Sequence, residues 1–192
     1  MSLNVQVICN ANLEIIDIVA RWPGSSHDST IFNACFRKAM FEDKRYGNSL
    51  LLGDRGYPIL TYLMTPIENP QRREEILFNE SQIRTRNCVE RLFGVWKRRF
   101  PALALGIRFK LKNVFHVIIA TAVLHNILRS VNEDVPADDP SLILPMPWDA
   151  LLNRGQIPAV RPTGTTRRSN PGQRIRSILI DNYFKRYIAT II

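Results

Sequence analysis

β-Branched residues, which favour β-strands, are concentrated at the start of the chain. Two β-branched runs, residues 4–9 and 14–21, are separated by Asn10-Ala11-Asn12, a sequence typical of turns. Because such runs alternate their side chains between two faces, the pattern predicts an antiparallel β-hairpin at the N-terminal end.

Helical spacing of apolar residues then predicts a first helix that begins at Asp28 or Ser29, either of which can cap it. Its apolar positions are Ile31, Phe32, Cys35, Phe36, Ala39 and Met40. Two short apolar runs follow at residues 49–53 and 62–67, which we interpret as strands. Asp54 is therefore expected at the C-terminal end of a strand.

Two longer helices are predicted in the second half of the chain. One covers residues 71–100, has a candidate break near Asn79, and stops before Pro101. The other covers residues 114–132 and is apolar on nearly all sides, which predicts a position at the centre of the core. Its apolar stretch is shorter than the roughly 20 residues that cross a bilayer, so we expect no membrane partner.

The composition changes after the last of these helices. Residues 136–172 are rich in Pro, Asp, Gly, Thr and Arg and show little periodicity, which predicts a flexible linker. Residues 173–192 regain helical spacing and predict a C-terminal helix. Residues 1–135 are then expected to form one α/β domain.

The composition and the net charge indicate which kind of molecule this chain is expected to bind. Of the 192 residues, 45% are hydrophobic and 22% charged, as in globular proteins, and the formal net charge is +9. A basic chain attracts polyanions, although net charge alone does not indicate a mechanism. The three cysteines form no C-x-x-C pair, which favours a reducing compartment.

Two carboxylates stand where a metal-dependent phosphodiesterase needs them. Asp54 follows a predicted strand, and Glu90 lies 36 positions later on a predicted helix that can return across the strand ends. Carboxylates from separate elements can hold two metal ions roughly 3.5–4 Å apart, which activates the attacking oxygen and steadies the leaving one. Two plainer interpretations remain open: Asp54 as a turn residue, and Glu90 as a surface partner of Arg86.

The basic residues are concentrated around Glu90. Residues 84–112 contain nine Lys and Arg against that one acid, a net charge of +8. Cations neutralise phosphates, so the segment indicates a DNA-binding surface. We expect Arg91, Lys97, Arg98 and Arg99 to contact DNA. Gly94 shares the helical face of Glu90, where the close approach of a phosphate or an ion would explain a glycine.

Asp28 and the histidines are weaker candidates. Asp28 either caps the first helix or serves as an auxiliary metal ligand if the helix start faces Asp54. His116 and His125 are nine residues apart, which is not the spacing of a zinc pair on one helical face. We interpret both histidines as core or interface residues and assign them no catalytic role.

Several motifs, in order, resemble the nuclease domain of PIF/Harbinger transposases and of the Harbinger transposase-derived nucleases, a family of DDE endonucleases. They are Leu3-Asn4-Val5-Gln6-Val7-Ile8-Cys9, Ala20-Arg21-Trp22-Pro23-Gly24-Ser25-Ser26-His27-Asp28-Ser29, Leu52-Gly53-Asp54-Arg55-Gly56-Tyr57, Asn87-Cys88-Val89-Glu90-Arg91-Leu92-Phe93-Gly94 and Ala122-Val123-Leu124-His125-Asn126. The resemblance implies an RNase H-like fold, in which helices flank a mixed sheet whose first three strands are antiparallel.

The resemblance also implies an acidic triad that binds Mg²⁺ or Mn²⁺, with Asp54 as the second acid and Glu90 as the third. The first acid belongs to a strand with a D-G-T-H-like segment, which this sequence does not contain. We therefore expect a truncated nuclease domain without its first strand, and weak catalysis by the chain alone. A Myb-like partner protein and a nuclear location, with the cytoplasm as a second compartment, are further implications.

Two hypotheses about function follow. The first is a transposase-derived DNA nuclease that hydrolyses phosphodiesters with a divalent metal. The alternative is a domesticated, non-catalytic module that binds DNA or protein, which the missing acid and the retained basic segment both favour.

Overall fold

The computed structural model describes residues 2–136 and 170–186. These residues form two compact units, one containing residues 2–26 and 87–136 and the other containing residues 27–86 and 170–186. Together they give a mixed α/β structure in which the described strands form two small sheets of two strands each.

The first unit begins with the predicted hairpin, which the structure confirms. Strands β1 (Leu3–Cys9) and β2 (Ile15–Pro23) are antiparallel, with Val7 opposite Ile18. Asn10 makes the turn because its Oδ1 accepts hydrogen bonds from the N–H groups of Asn12 and Glu14, each at 3.0 Å. This side-chain bonding is the physical reason that asparagine marks such turns.

Helices pack on this hairpin through a hydrophobic core. They are the C-terminal part of α3 (Arg73–Arg99), the short α4 (Ala102–Leu105) and α5 (Leu111–Ser130). The buried core residues are Leu13, Ile15, Ala20, Leu92, Trp96, Val114, Ile118 and Ala122. At the edge of the core, the Sγ atoms of Cys9 and Cys88 lie 3.7 Å apart as free thiols. The pKa of Cys9 is raised to about 12, mainly by burial and to a smaller extent by the neighbouring Cys88.

The position predicted for α5 at the centre of the core is wrong. Only Val114, Ile118, Ala122 and His125 are buried, so the helix packs along one face. Its opposite face is apolar but exposed, and the side chain of Val123, for example, is 54% exposed to solvent.

With 20 residues, the helix is also long and apolar enough to span a membrane, contrary to our prediction from its length. One face of the helix contributes to the core of this unit.

Polar side chains of α5 hold the hairpin by its backbone. The Nε2 atom of His125 lies 2.8 Å from the carbonyl oxygen of Leu13. The amide of Asn126 accepts from the N–H of Ile15 and donates to its carbonyl, both at 2.8 Å. The core role predicted for His125 is confirmed, and burial lowers its pKa. His116 is exposed, with its Nδ1 atom 2.9 Å from the carbonyl oxygen of Lys112, so it is not a core residue.

The second unit starts with two short helices instead of the single helix that we predicted. They are α1 (Asp28–Asn33) and α2 (Phe36–Glu42). The chain is extended at Cys35, whose Sγ accepts a hydrogen bond from the N–H of Lys38 and so caps α2. Because the cap redirects the chain, Phe36 is 75% exposed instead of continuing the buried face.

Two short parallel strands and three helical segments complete the second unit. Strands β3 (Leu51–Leu52) and β4 (Leu63–Met64) are shorter than predicted. The first half of α3 covers them, and α6 (Pro171–Leu179) continues into a π-helical turn (Ile180–Phe184). Met64, Phe78 and Ile180 form one buried hydrophobic cluster of this unit.

Helix α3 is continuous, so the candidate break near Asn79 is wrong. The buried Asn79 amide instead bonds the backbone of Ile67, accepting from its N–H at 2.8 Å and donating to its carbonyl at 2.9 Å. The start of α3 is joined to the π-helical turn by a hydrogen bond of 3.1 Å from Arg72 to Asp181.

The sheets differ from the single mixed sheet that the resemblance implied, since each described sheet has only two strands. The predicted linker over residues 136–172 lies largely outside the described residues. Helix α6 begins at Pro171, two residues before the C-terminal helix that we predicted.

Candidate functional site

Asp54 lies directly after β3, in a turn that its own side chain stabilises. The N–H of Gly53 donates to the carbonyl of Met64 at 2.9 Å, the last bond between the two strands. One residue later the chain turns, and Oδ1 of Asp54 accepts from the N–H of Gly56 at 2.8 Å. The Asp54 side chain is half-buried. Asp54 can therefore be both a turn residue and a metal ligand, because its Oδ1 atom stabilises the turn while the carboxylate group as a whole lies at the end of the strand.

Asp28 lies close to the same turn. A Cβ atom built on Gly56 would stand 3.0 Å from Oδ1 of Asp54 and 4.0 Å from Oδ2 of Asp28. Asp28 is the first residue of α1, and His27, not Asp28, occupies the N-cap position. Asp54 and Asp28, the two aspartates of this unit that the sequence proposed as ligands, therefore lie near the same turn.

Aromatic packing holds α1 against the Asp54 turn. The rings of Phe32 and Tyr57 meet edge to face, with centroids 5.9 Å apart. Gly53 makes room for this arrangement, because a Cβ there would come within 3.1 Å of both Tyr57 and Leu63. Contacts of that length are tighter than most in a packed interior, so a larger residue at position 53 would require Tyr57 and Leu63 to shift by a few tenths of an ångström.

Gln82 of α3 also supports this turn, and sequence reasoning missed it. Its side chain is buried, and Nε2 donates to the carbonyl of Gly53 at 2.7 Å and to that of Met64 at 3.4 Å. The sequence offered only a weak signal: Gln82 is one helical turn after Asn79, on the stripe that contains Phe78. Two amides on an apolar stripe indicate that backbone groups must be satisfied there.

Glu90 lies in the other unit, on the C-terminal part of α3, and is half-buried. It is followed on the same helical face by Gly94, which is buried. The surrounding protein covers Gly94, and the close approach of a phosphate or an ion as the reason for this glycine stays a prediction.

The four predicted DNA contacts differ in exposure. Arg91 is exposed, whereas Lys97, Arg98 and Arg99 are half-buried. The ammonium of Lys97 lies 6.0 Å from the centroid of the Phe93 ring, and burial lowers its pKa. Arg99 donates to the carbonyl oxygen of Glu133, which occupies part of its guanidinium. Arg91 is thus the residue of the four best placed to meet a phosphate.

A divalent metal fits the donors at the Asp54 turn. Two carboxylates suit Mg²⁺ or Mn²⁺, which prefer oxygen ligands, and Mg²⁺ in particular is commonly held by one or two protein carboxylates with water or phosphate as the remaining ligands. Among the described residues no group of three or more His, Cys, Asp or Glu side chains is placed to hold a metal ion. The residues that would hold the ion in this unit are Asp54 and Asp28.

The sequence matches the family model described as DDE superfamily endonuclease over residues 1–126. The chain belongs to the DDE superfamily of endonucleases. Endonucleases of this superfamily generally depend on divalent metal.

This DDE-family chain is similar to several named proteins from animals and a plant. The human protein named "Putative nuclease HARBI1" is 29% identical over 137 residues, covering 70% of this chain and 39% of the relative. The Xenopus laevis protein of that name is 23% identical and covers 71% and 40%. The Arabidopsis thaliana "Protein ALP1-like" is 24% identical and covers 72% and 38%.

This DDE-family chain thus spans about two-fifths of the length of the relatives it matches. No solved structure matches it.

Proposed function

We propose that this chain carries part of a transposase-derived nuclease that hydrolyses DNA phosphodiesters with Mg²⁺ or Mn²⁺, on an RNase H-like arrangement of strands and helices. The observation that carries the proposal is the approach of Asp54 and Asp28 to Gly56, at the end of β3, in a chain of the DDE endonuclease family. A bound divalent ion would polarise the scissile phosphate and lower the pKa of an attacking water.

The protein's own residues would supply position and charge. Asp54 would present one carboxylate oxygen to the metal while its Oδ1 keeps the N–H of Gly56. Asp28 would act as an auxiliary ligand from the first turn of α1. Glu90 would keep the role of third acid that the family resemblance implies. The basic segment of residues 84–112 would attract the polyanionic substrate, and Arg91 would neutralise a DNA phosphate.

DNA as the substrate is supported by the nuclease names of the relatives and by the net charge of +9. A nuclear location and a Myb-like partner protein belong to the same proposal. The nuclear location and the partner protein are supported by the family resemblance and by the basic character of the chain.

Cleavage of a supercoiled plasmid in the presence of Mn²⁺ tests the proposal. We expect Asp54→Asn and Glu90→Gln to reduce the cleavage rate on the order of 100-fold, because each removes a charged metal ligand. The control is Glu80→Gln, which removes an exposed carboxylate from α3. Metal-dependent cutting at equal rates by the unmutated chain and both ligand variants would refute the proposal.

A non-catalytic binding module remains the second candidate. It is favoured by one observation, namely that the described residues contain no group of three potential metal ligands. Calorimetric titration with Mn²⁺ separates the two candidates. Carboxylate-dependent Mn²⁺ binding supports the nuclease, whereas DNA binding without any Mn²⁺ binding supports the module.

A further inference from the structure

The carbonyl of Gly53 is held by a side chain from another element. Its N–H is bonded to Met64 of β4, and its carbonyl accepts the 2.7 Å bond from Nε2 of Gln82. Both backbone groups of the residue before Asp54 are therefore fixed. The next fixed group along the chain is the N–H of Gly56, which is held by Asp54 itself.

Hydrophobic packing alone does not explain why position 82 on α3 is a glutamine. Gln82 is 3% exposed, and its Oε1 atom is buried with no hydrogen-bond partner among the described residues. A buried acceptor without a partner destabilises a protein, so an unbranched apolar side chain of the same length would avoid that cost. Polar groups that lower stability in this way are typical of positions where a functional geometry is maintained.

We propose that Gln82 is a positioning residue that fixes the Asp54 carboxylate for metal binding. It acts through the backbone, because the Gly53 carbonyl that it holds belongs to the peptide group shared with Asp54. This inference rests on the proposed nuclease function and adds to it a residue that touches neither metal nor DNA. Residues that orient a metal ligand typically change metal affinity 10–100-fold when they are replaced.

Asn79 provides a matched control one turn earlier on α3. It is also a buried amide, and it also bonds backbone, but its partner is Ile67, beyond β4 and away from the Asp54 turn. Asn79→Leu should lower stability because the N–H and the carbonyl of Ile67 both lose their partner. It should leave the geometry of the Asp54 turn unchanged.

The experiment compares the unmutated chain, Gln82→Met and Asn79→Leu in two measurements, each with the thermal midpoint recorded. The first is the amide–water exchange rate of Gly56 by NMR, which reports the hydrogen bond to Asp54. The second is the dissociation constant for Mn²⁺ by calorimetry. Asp54→Ala gives the exchange rate of a Gly56 amide without its acceptor.

We expect Gln82→Met to accelerate Gly56 exchange about tenfold and to weaken Mn²⁺ binding about tenfold. Its thermal midpoint should stay close to that of the unmutated chain, because the cost of leaving the Gly53 carbonyl without its partner is offset by the removal of the buried, unpaired Oε1 atom. Asn79→Leu should lower the midpoint and leave both other measurements unchanged. Unchanged Gly56 exchange in Gln82→Met would overturn the proposal, and so would faster exchange with unchanged Mn²⁺ affinity. If the unmutated chain binds no Mn²⁺, the proposed metal site fails, whereas accelerated Gly56 exchange would still support the role of Gln82 in fixing the Asp54 turn.

Discussion

At the scale of single residues, Glu75 shows how one carboxylate organises the start of a long helix. Its Oε2 atom accepts from the backbone N–H groups of Gln71 and Arg72, and its Oε1 atom accepts from the side chain of Arg72. The pKa of Glu75 is lowered to about 2, mainly by the hydrogen bond from the Arg72 side chain and next by that from the N–H of Gln71. Glu75 therefore helps to satisfy the N–H groups that every helix leaves open at its start.

This shift predicts a loss of stability in acid. Because the pKa of Glu75 is lower in the folded chain than its ordinary value of 4.5, its contribution is present above pH 4.5 and is lost as the pH falls towards 2. Arg72 is exposed, so solvent screening keeps the contribution small. Glu75→Gln should remove this part of the pH dependence in urea denaturation between pH 5 and pH 2.5. Glu80→Gln is the control and should keep it.

The candidate site could be predicted from the sequence only where a residue type carries chemistry by itself. An aspartate after an apolar run indicated a strand end, and the structure places Asp54 there. Gln82 could not be found in this way, because an amide that bonds backbone looks like any polar helix residue until the strand carbonyls are in place. The approach of Asp28 to Gly56 likewise depends on the packing of Phe32 on Tyr57.

At the scale of elements, the two faces of α5 have opposite roles although both are apolar. Replacing Ile118, which is buried, with Gln should lower the free energy of unfolding by about 2–4 kcal/mol, because a polar group enters the core and a cavity remains. Replacing Val123, which is 54% exposed, with Gln should change it by less than about 0.5 kcal/mol. Urea denaturation measures both. A large loss for Val123→Gln would mean that its face is covered in solution.

The elements themselves differ in how far the sequence determines them. The hairpin was predictable because Asn10 supplies local hydrogen bonds that need no tertiary contact. The split between α1 and α2 was not, since an apolar Cys35 continues a helical pattern although its sulfur caps the next helix. The exposed face of α5 was not predictable either, because a pattern that is apolar on all sides contains no information about which side is buried.

At the scale of the whole molecule, the net charge of +9 predicts strong salt dependence of DNA binding. Arg91→Ala should weaken binding to unrelated DNA sequences equally and reduce the slope of log K against log salt concentration by about 1, because the exposed Arg91 is expected to neutralise one phosphate. Fluorescence anisotropy over a salt series measures the slope.

Lys97→Ala is the matched comparison for Arg91→Ala. Since the ammonium of Lys97 lies over the Phe93 ring in a half-buried position, its removal should lower stability more than it changes the slope. An equal reduction of the slope by both substitutions would contradict the difference in exposure between the two side chains.

The Sγ atoms of Cys9 and Cys88 lie 3.7 Å apart where β1 meets α3, so the reactivity of Cys9 can report local unfolding of the first unit. Thiolates, and not thiols, react with alkylating reagents, and a pKa of about 12 keeps Cys9 protonated at neutral pH in the folded chain. We therefore expect Cys9 to react slowly with an alkylating reagent in the folded chain and faster when β1 separates from α3. The chain thus contains its own chemical probe of local unfolding, without an added dye or an engineered residue.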